Sequence, residues 1–148
     1  MTTEKLVFAL EIDDGWPPIS AEGVWCEKIE ETYKLLNTPF FIPDLACGDI
    51  FTAIADPINQ NIFEFDVIEE SGNSVVWVMN NDNIDIKPFT EKLKKIGCTF
   101  EGFPRFSLLS IDVPSTVDII ALKELLDLFD EMGLDFAYPF GGFENKLK

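Results

Sequence analysis

Paired carboxylates are the most frequent groups in this sequence that could carry out chemistry. Adjacent acids occur at Asp13-Asp14, Glu30-Glu31 and Glu69-Glu70, and two carboxylates can serve as the general acid and general base of a hydrolase. The chain has 27 Asp and Glu among its 148 residues, however, so adjacent pairs are expected by chance. The pairs alone do not predict an enzyme.

The other common catalytic side chains are missing or scattered. Histidine is absent, which excludes Ser-His-Asp and Cys-His systems and removes the commonest zinc ligand. Cys26, Cys47 and Cys98 form no C-x-x-C pair, and we expect them to be small buried residues in a reducing compartment. The sequence therefore predicts no enzymatic activity, no metal and no cofactor.

The charge of the chain is strongly negative and unevenly distributed. A protein with a net charge of −16 repels phosphate backbones and anionic lipid, so we expect neither a nucleic-acid partner nor a membrane partner. Acids outnumber bases 15 to 3 in residues 1–72, but only 12 to 8 in residues 73–148. The local excess is larger than solubility requires and favours a basic protein partner.

The pattern of residues 1–72 predicts short strands joined by turns. Residues 6–12 and 62–68 alternate with the period of two that is typical of strands with one buried face. In the second run, Phe63, Phe65 and Val67 fall on one side of the strand, and Ile62, Glu64, Asp66 and Ile68 fall on the other. Several such strands predict an antiparallel β-barrel-like or curled sheet.

Residues 73–148 change to a mixed pattern of strands and helices. Pro88 suits the first turn of a helix that Gly97 would end, and Ser115 or Thr116 can cap a second helix. The predicted order β-α-β-β-α-β is that of a ferredoxin-like arrangement. The fold class is therefore α+β, with residues 1–72 and 73–148 as two domains or as halves of one integrated domain.

No targeting segment is apparent in the sequence. The first residues lack the basic region and apolar run of a signal peptide. No stretch reaches the roughly 18–20 apolar residues that a membrane span needs. We expect a cytoplasmic protein.

Four aromatic residues lie near the acidic turns of the first half. Trp16 stands between Gly15 and two prolines, so we expect it to be partly exposed. Trp25, Phe40 and Phe41 are expected in the core. An exposed aromatic residue surrounded by carboxylates is typical of a binding hot spot for a basic partner.

A series of short motifs resembles that of a known family. The motifs are Trp16-Pro17-Pro18, Glu22-x-x-Trp25, Asn37-x-Pro39-Phe40-Phe41, Gly48-Asp49 and Ser71-Gly72. Over about residues 5–140, they resemble a bacterial family known only as a domain of unknown function. Some of its relatives resemble immunity proteins of contact-dependent inhibition or polymorphic toxin systems, which are encoded beside the toxin that they neutralise. The resemblance implies no catalytic residue.

Together, the charge and the resemblance predict an immunity protein. It would bind a cognate, basic, nuclease-type toxin and occlude the toxin's active site. The residues predicted to contact the toxin are Asp13, Asp14, Trp16, Glu27, Glu30, Glu31, Tyr33, Glu69 and Glu70. The alternative is a small-molecule-binding or regulatory domain of unknown ligand.

Overall fold

The chain divides into two compact units, Met1–Asn73 and Ser74–Lys148. A computed structural model describes residues 2–139, 143 and 147. Most of the described regular structure is strand, and the two described α-helices belong to the second unit. The protein is therefore of the mixed α+β class, as the sequence predicted.

The first unit is built on one five-stranded sheet. Its strands are β1 (Thr2–Ala9), β2 (Ala21–Ile29), β3 (Thr32–Leu35), β4 (Ile50–Ala55) and β5 (Ile62–Glu69). Consecutive strands pair antiparallel, and β1 also meets β5 at one parallel pair, Phe8 opposite Ile62. The sheet therefore curls, and its side chains alternate between an inner face and an outer face.

Three phenylalanines form the centre of the inner face. The ring centroid of Phe8 lies 5.9 Å from that of Phe51 and 5.5 Å from that of Phe65. Phe51 and Phe65 are 6.2 Å apart, within the range of favourable aromatic pairs. Val24 and Leu35 are fully buried beside them, so this small sheet has a core of its own.

Phe63 does not share the inner face with Phe65, although the two residues fall on the same side of a regular strand. The pairing of β4 with β5 shifts its register between Ile54 and Ala55, so that Ile54 lies opposite Glu64 and Ala55 opposite Ile62. Such a bulge leaves one residue out of the ladder. Ile62 is consequently buried, whereas Phe63 has 61% of its surface exposed.

Trp25 is also on the outside, which corrects its predicted place in the core. On β2, Glu22, Val24 and Cys26 are buried, and successive side chains of a strand point to opposite faces. Trp25 must therefore point outward, and 51% of its surface is exposed. Of the other two predicted core aromatics, Phe41 is buried and Phe40 is half-buried.

The second unit combines a four-stranded sheet with two helices. Its elements are β6 (Ser74–Met79), α1 (Lys87–Lys95), β7 (Thr99–Phe103), a 3-10 turn (Pro104–Phe106), β8 (Leu108–Val113), α2 (Ile119–Glu131) and β9 (Asp135–Ala137). The strand order is β7-β8-β6-β9, and every neighbouring pair is antiparallel.

The two helices bury their apolar stripes in the core of this unit. Helix α1 has Pro88 in its first turn and buries Phe89 and Leu93, and Gly97 follows it with a φ of 99° that favours glycine. Phe129 of α2 packs on Phe89, with ring centroids 4.9 Å apart. Within the described residues, no helix is both long and apolar enough to cross a membrane.

The cap of α2 differs from the predicted one. Neither Ser115 nor Thr116 precedes the helix directly, and Asp118 is the N-cap. Its Oδ1 accepts the backbone N–H groups of Ile120 and Ala121 at 2.9 and 3.4 Å. An aspartate at this position also stabilises the positive end of the helix dipole.

Candidate functional site

Glu22 is a buried carboxylate that holds the loop between β3 and β4. Its side chain is only 7% exposed. Oε2 accepts the backbone N–H of Phe40 and Oε1 accepts that of Phe41, each at 2.8 Å. A carboxylate buried in this way stabilises two amides that the loop cannot pair within a sheet.

Asp49 is a second carboxylate that accepts backbone N–H groups, and it joins the β3–β4 loop to the residues that follow β5. It is 2% exposed, and it accepts the N–H groups of Ala46 at 2.9 Å and Ser71 at 2.8 Å. The Ser71 hydroxyl donates to the carbonyl of Cys47 at 2.8 Å. Gly48 has a φ of 88°, and a Cβ there would lie 2.9 Å from the Ser71 Cβ, so both the turn and the close approach require glycine.

The remaining motif residues complete the same framework. Asn37 accepts the backbone N–H of Trp25 through Oδ1 at 2.8 Å. The ring of Trp16 packs edge-on against Phe41, with centroids 5.6 Å apart. The residues that carry the sequence resemblance thus hold the β1–β2 and β3–β4 loops, so their role in this structure is positional.

The residues predicted to contact a partner fall into separate groups. Asp13, Asp14 and Trp16 lie in the β1–β2 loop, beyond the pair Ala9–Ala21. Glu30 and Glu31 form the two-residue turn at the opposite end of β2. Because β2 is nine residues long, about 26 Å of strand separates the two groups.

Glu27 and Glu69 lie in one row across the middle of the sheet. The register runs from Glu27 through Lys34 and Ile50 to Glu69, and Glu70 follows β5 directly. Three strand spacings, about 14 Å, separate Glu27 from Glu69. The structure therefore does not gather the predicted residues into one compact patch.

Of the two predicted aromatic anchors, only Trp16 is exposed. Trp16 has 44% of its surface exposed, in agreement with its position in a turn. Tyr33 is half-buried and packs on Phe51 with ring centroids 5.8 Å apart. Its ring packs against the core of the first unit, and a contact of Tyr33 with a partner stays a prediction.

Within the described part of the chain, none of the seven predicted carboxylates lies at ion-pair distance from a lysine or arginine. The ion pair found there joins Lys123 to Asp127 in the second unit. Six of the seven are exposed and Glu27 is half-buried. Glu30 also has a φ of 56°, which is strained for a residue other than glycine.

The sequence reasoning missed an apolar surface on the outer face of β4 and β5. Ile54, Ile58 and Phe63 are 70%, 92% and 61% exposed. Glu64 and Asp66 lie beside them, and residues of both strands line an open depression of about 350 Å³. We call these five residues the β4–β5 surface. The sequence signal that could have indicated this surface was Ile58, because it is a large apolar residue within a turn.

The β4–β5 surface lies towards the same end of the sheet as the Glu30–Glu31 turn. Strand β3 is antiparallel to both β2 and β4, so β2 and β4 run in the same direction. Their carboxyl ends lead into the β2–β3 turn and the β4–β5 turn, which therefore share one end of the unit. We call this the hairpin end.

Burial makes two of the three thiols unreactive. It raises the pKa of Cys26 from 9.0 to about 12, with a smaller contribution from the charge of Glu4. It also raises the pKa of Cys98 to about 12, with a contribution from Asp112. Cys47 is half-buried, so it is the thiol most open to reagents.

Alkylation should distinguish these thiols. At pH 8, we expect iodoacetamide to label Cys47 at least about tenfold faster than Cys26 and Cys98, because the thiolate is the reacting form. Peptide mass spectrometry measures the three rates, and denaturation in urea should make them equal. Rapid labelling of Cys26 in the folded protein would contradict its burial.

The same shifts predict loss of stability at alkaline pH. An unfolded cysteine ionises near pH 9.0, whereas burial raises the pKa of Cys26 and of Cys98 in the folded protein to about 12. The free energy of unfolding should therefore fall as the pH rises from 9 to 12. The double variant Cys26→Ala/Cys98→Ala should show a shallower fall in urea titrations.

The described residues contain no cluster of three or more Asp, Glu or Cys side chains that could hold a metal ion. The buried carboxylates of Glu22 and Asp49 bind backbone amides. The described surface of the first unit presents exposed carboxylates and large exposed apolar side chains.

Comparison with known proteins identifies the family and the fold. A solved structure of a hypothetical protein from Neisseria gonorrhoeae is similar, with a TM-score of 0.76 and 19% sequence identity over 94% of this chain and 95% of that chain. At this identity the similarity shows the fold alone. The comparison with curated proteins gave no match. The family described as "Domain of unknown function (DUF4265)" matches residues 22–135, and the chain belongs to that family.

Proposed function

We propose that the protein is an immunity protein that binds a basic protein toxin and occludes its active site. The observation that carries the proposal is the exposure, in one unit, of carboxylates without counter-ions beside large exposed apolar side chains. Carboxylates attract lysine and arginine, and apolar residues provide the burial that makes a complex stable.

The charge of the first unit supports a basic partner. Residues 1–73 contain 15 acids and 3 bases, and the exposed acids among them produce a negative field that extends into solvent. Toxin domains that cleave nucleic acid are commonly basic because they hold phosphates. Opposite charges raise the association rate of two such proteins.

The hairpin end is the part of this unit that best fits a protein interface. It combines the exposed carboxylates of Glu30 and Glu31 with the β4–β5 surface, where Ile54 and Glu64 lie directly opposite each other. Asp13 and Asp14, at the other end of β2, would act mainly through the long-range field.

The order and pairing of the strands support the fold proposed for each unit. The strand order β7-β8-β6-β9 with two helices supports a ferredoxin-like second unit, and the β1–β5 pair supports a barrel-like first unit. Neither architecture specifies a function by itself. The three free cysteines support action in a reducing compartment such as the cytoplasm.

Charge reversal at the two ends of the first unit tests the proposal. The test uses the protein encoded by the adjacent gene as the partner and measures association and dissociation rates by surface plasmon resonance. Glu30→Lys/Glu31→Lys should weaken binding by at least about 30-fold, mainly through faster dissociation. Asp13→Lys/Asp14→Lys makes the same change in charge and should lower only the association rate.

Two results would count against the proposal. One is a neighbouring protein that forms no complex with the wild-type chain at micromolar concentration. The other is equal dissociation rates for the two charge-reversal variants and the wild type, which would remove Glu30 and Glu31 from the interface.

A further inference from the structure

A groove runs between α1 and α2 on the second unit. Its volume is about 320 Å³, and it is lined by Lys92, Lys95, Ile96, Ala121, Glu124, Leu125 and Leu128. The apolar residues come from both helices. The lysines stand on the α1 side and Glu124 on the α2 side, so the groove has an apolar floor between walls of opposite charge.

The α1 side of the groove is the most basic element of an acidic protein. Four of the 11 Lys and Arg residues lie within the nine residues of α1, together with one glutamate. Lys94 is engaged elsewhere, since its Nζ lies 5.5 Å from the Phe100 ring centroid. Within the described residues, Lys92 and Lys95 form no ion pair and line the groove.

The apolar floor continues along α2 beyond the groove itself. Leu125 is buried, Leu128 is 44% exposed, and Met132, four residues further on, is 51% exposed. From Ala121 to Met132 this stripe extends about 16 Å, or three helical turns. Exposed leucine and methionine side chains in one line are typical of a surface that a partner covers.

We propose that this groove binds an acidic amphipathic helix of a partner protein. Charge complementarity selects the partner: the helix would place apolar residues against Leu125 and Leu128, and carboxylates against Lys92 and Lys95. A helix suits the site because both walls are helices, which offer no strand edge for an extended peptide. The length of the stripe accommodates three turns.

This site is independent of the proposed interface with a basic toxin. The proposed toxin interface lies on the first unit and would bind a basic protein. The groove lies on the second unit and would bind an acidic helix. It gives the protein a second interaction surface, so the protein would be able to bind a toxin and an acidic protein through different residues.

Titration with a designed peptide tests the groove. The probe is a stapled helix of about 14 residues with leucines on one stripe and glutamates on the flank that faces α1. Its control has each glutamate replaced by lysine. In ¹H–¹⁵N spectra of the full chain, we expect saturable shifts confined to α1 and α2, with a Kd of about 10–100 µM. The lysine peptide should bind at least about tenfold more weakly.

Variants of the protein locate the site. Lys92→Glu/Lys95→Glu should weaken binding of the glutamate peptide by about tenfold or more, and Leu128→Ser should weaken it by a similar factor. Lys87→Glu/Lys94→Glu makes the same change in charge outside the groove and should change the Kd less than about threefold. Unchanged thermal unfolding of each variant establishes that the fold is retained.

Three outcomes would overturn the proposal. The first is no saturable binding of the glutamate peptide up to about 1 mM. The second is equal affinity for the lysine peptide, which would remove the charge argument. The third is binding of dodecanoate without binding of the peptide, which would make the groove a lipid site.

Discussion

Replacement of Glu22 with alanine should destabilise the first unit by about 3–5 kcal/mol. The change leaves the N–H groups of Phe40 and Phe41 without the acceptors that now lie 2.8 Å away. Hydrogen bonds to a charged acceptor contribute about 1.5–3 kcal/mol each, and a buried donor without a partner adds its desolvation cost. Asp49→Ala should cause a comparable loss, because Asp49 accepts two backbone N–H groups in the same way.

Urea denaturation followed by tryptophan fluorescence measures this effect. Trp16 and Trp25 report on the first unit, so the experiment uses a Trp77→Phe background to remove the tryptophan of the second unit. Glu22→Gln keeps one carbonyl acceptor and should lose roughly half as much stability. Glu69→Ala removes an exposed carboxylate and should change stability by less than about 0.5 kcal/mol. A loss below about 1 kcal/mol for Glu22→Ala would contradict the structural role of this residue.

Replacement of Phe63 with serine should weaken the proposed toxin complex by about 30- to 100-fold, since hot-spot truncations cost 2 kcal/mol or more. Phe63 is a large exposed apolar side chain on the β4–β5 surface, beside Glu64. Because it is not part of the core, its loss should leave the stability of the free protein within about 1 kcal/mol. Surface plasmon resonance measures the effect on the dissociation rate of the complex, and urea denaturation measures the effect on the stability of the free protein.

Ile120→Ser provides the matched control for Phe63. Ile120 is 71% exposed but lies at the start of α2 in the second unit. This variant removes a similar exposed apolar side chain and should leave toxin binding unchanged. Equal binding by Phe63→Ser and the wild type would exclude the β4–β5 surface from the interface.

Local sequence signals predicted many of the elements. Strand β5 (Ile62–Glu69) covers the alternating residues 62–68, whereas β1 ends at Ala9, three residues before the end of the alternating run 6–12. Pro88 and Gly97 mark the two ends of α1 as expected, because each acts through its own backbone conformation. Each of these signals depends only on residues close by in the sequence. It can therefore be interpreted without knowledge of the tertiary structure.

Predictions that depended on distant residues were less successful. The position of Phe63 depends on a bulge in the β4–β5 register, and the alternation of side chains within β5 does not reveal it. The burial of Glu22 and Asp49 depends on amides 18 to 22 residues away in the sequence. An acidic residue without such a partner is normally exposed, so the burial of these two carboxylates could not be predicted from local sequence.

The arrangement of the candidate site also depends on residues that are distant in the sequence. The sequence identified an acidic first half, and the structure describes six of the seven predicted carboxylates as exposed. Their arrangement depends on strand directions, which place Asp13 and Asp14 about 26 Å from Glu30 along β2. Local patterning places Ile54 and Phe63 at ordinary strand positions and does not indicate the exposure that the proposed interface requires.

The most direct test of the central claim is the salt dependence of association with the protein encoded by the adjacent gene. Stopped-flow measurements at about 20 and 500 mM NaCl should show the association rate constant falling by about 10- to 100-fold, because salt screens the field that steers the partners. The dissociation rate should change little, and the toxin's activity should be lost in the complex. A complex that forms at the same rate at both salt concentrations would contradict recognition through the acidic surface of the first unit.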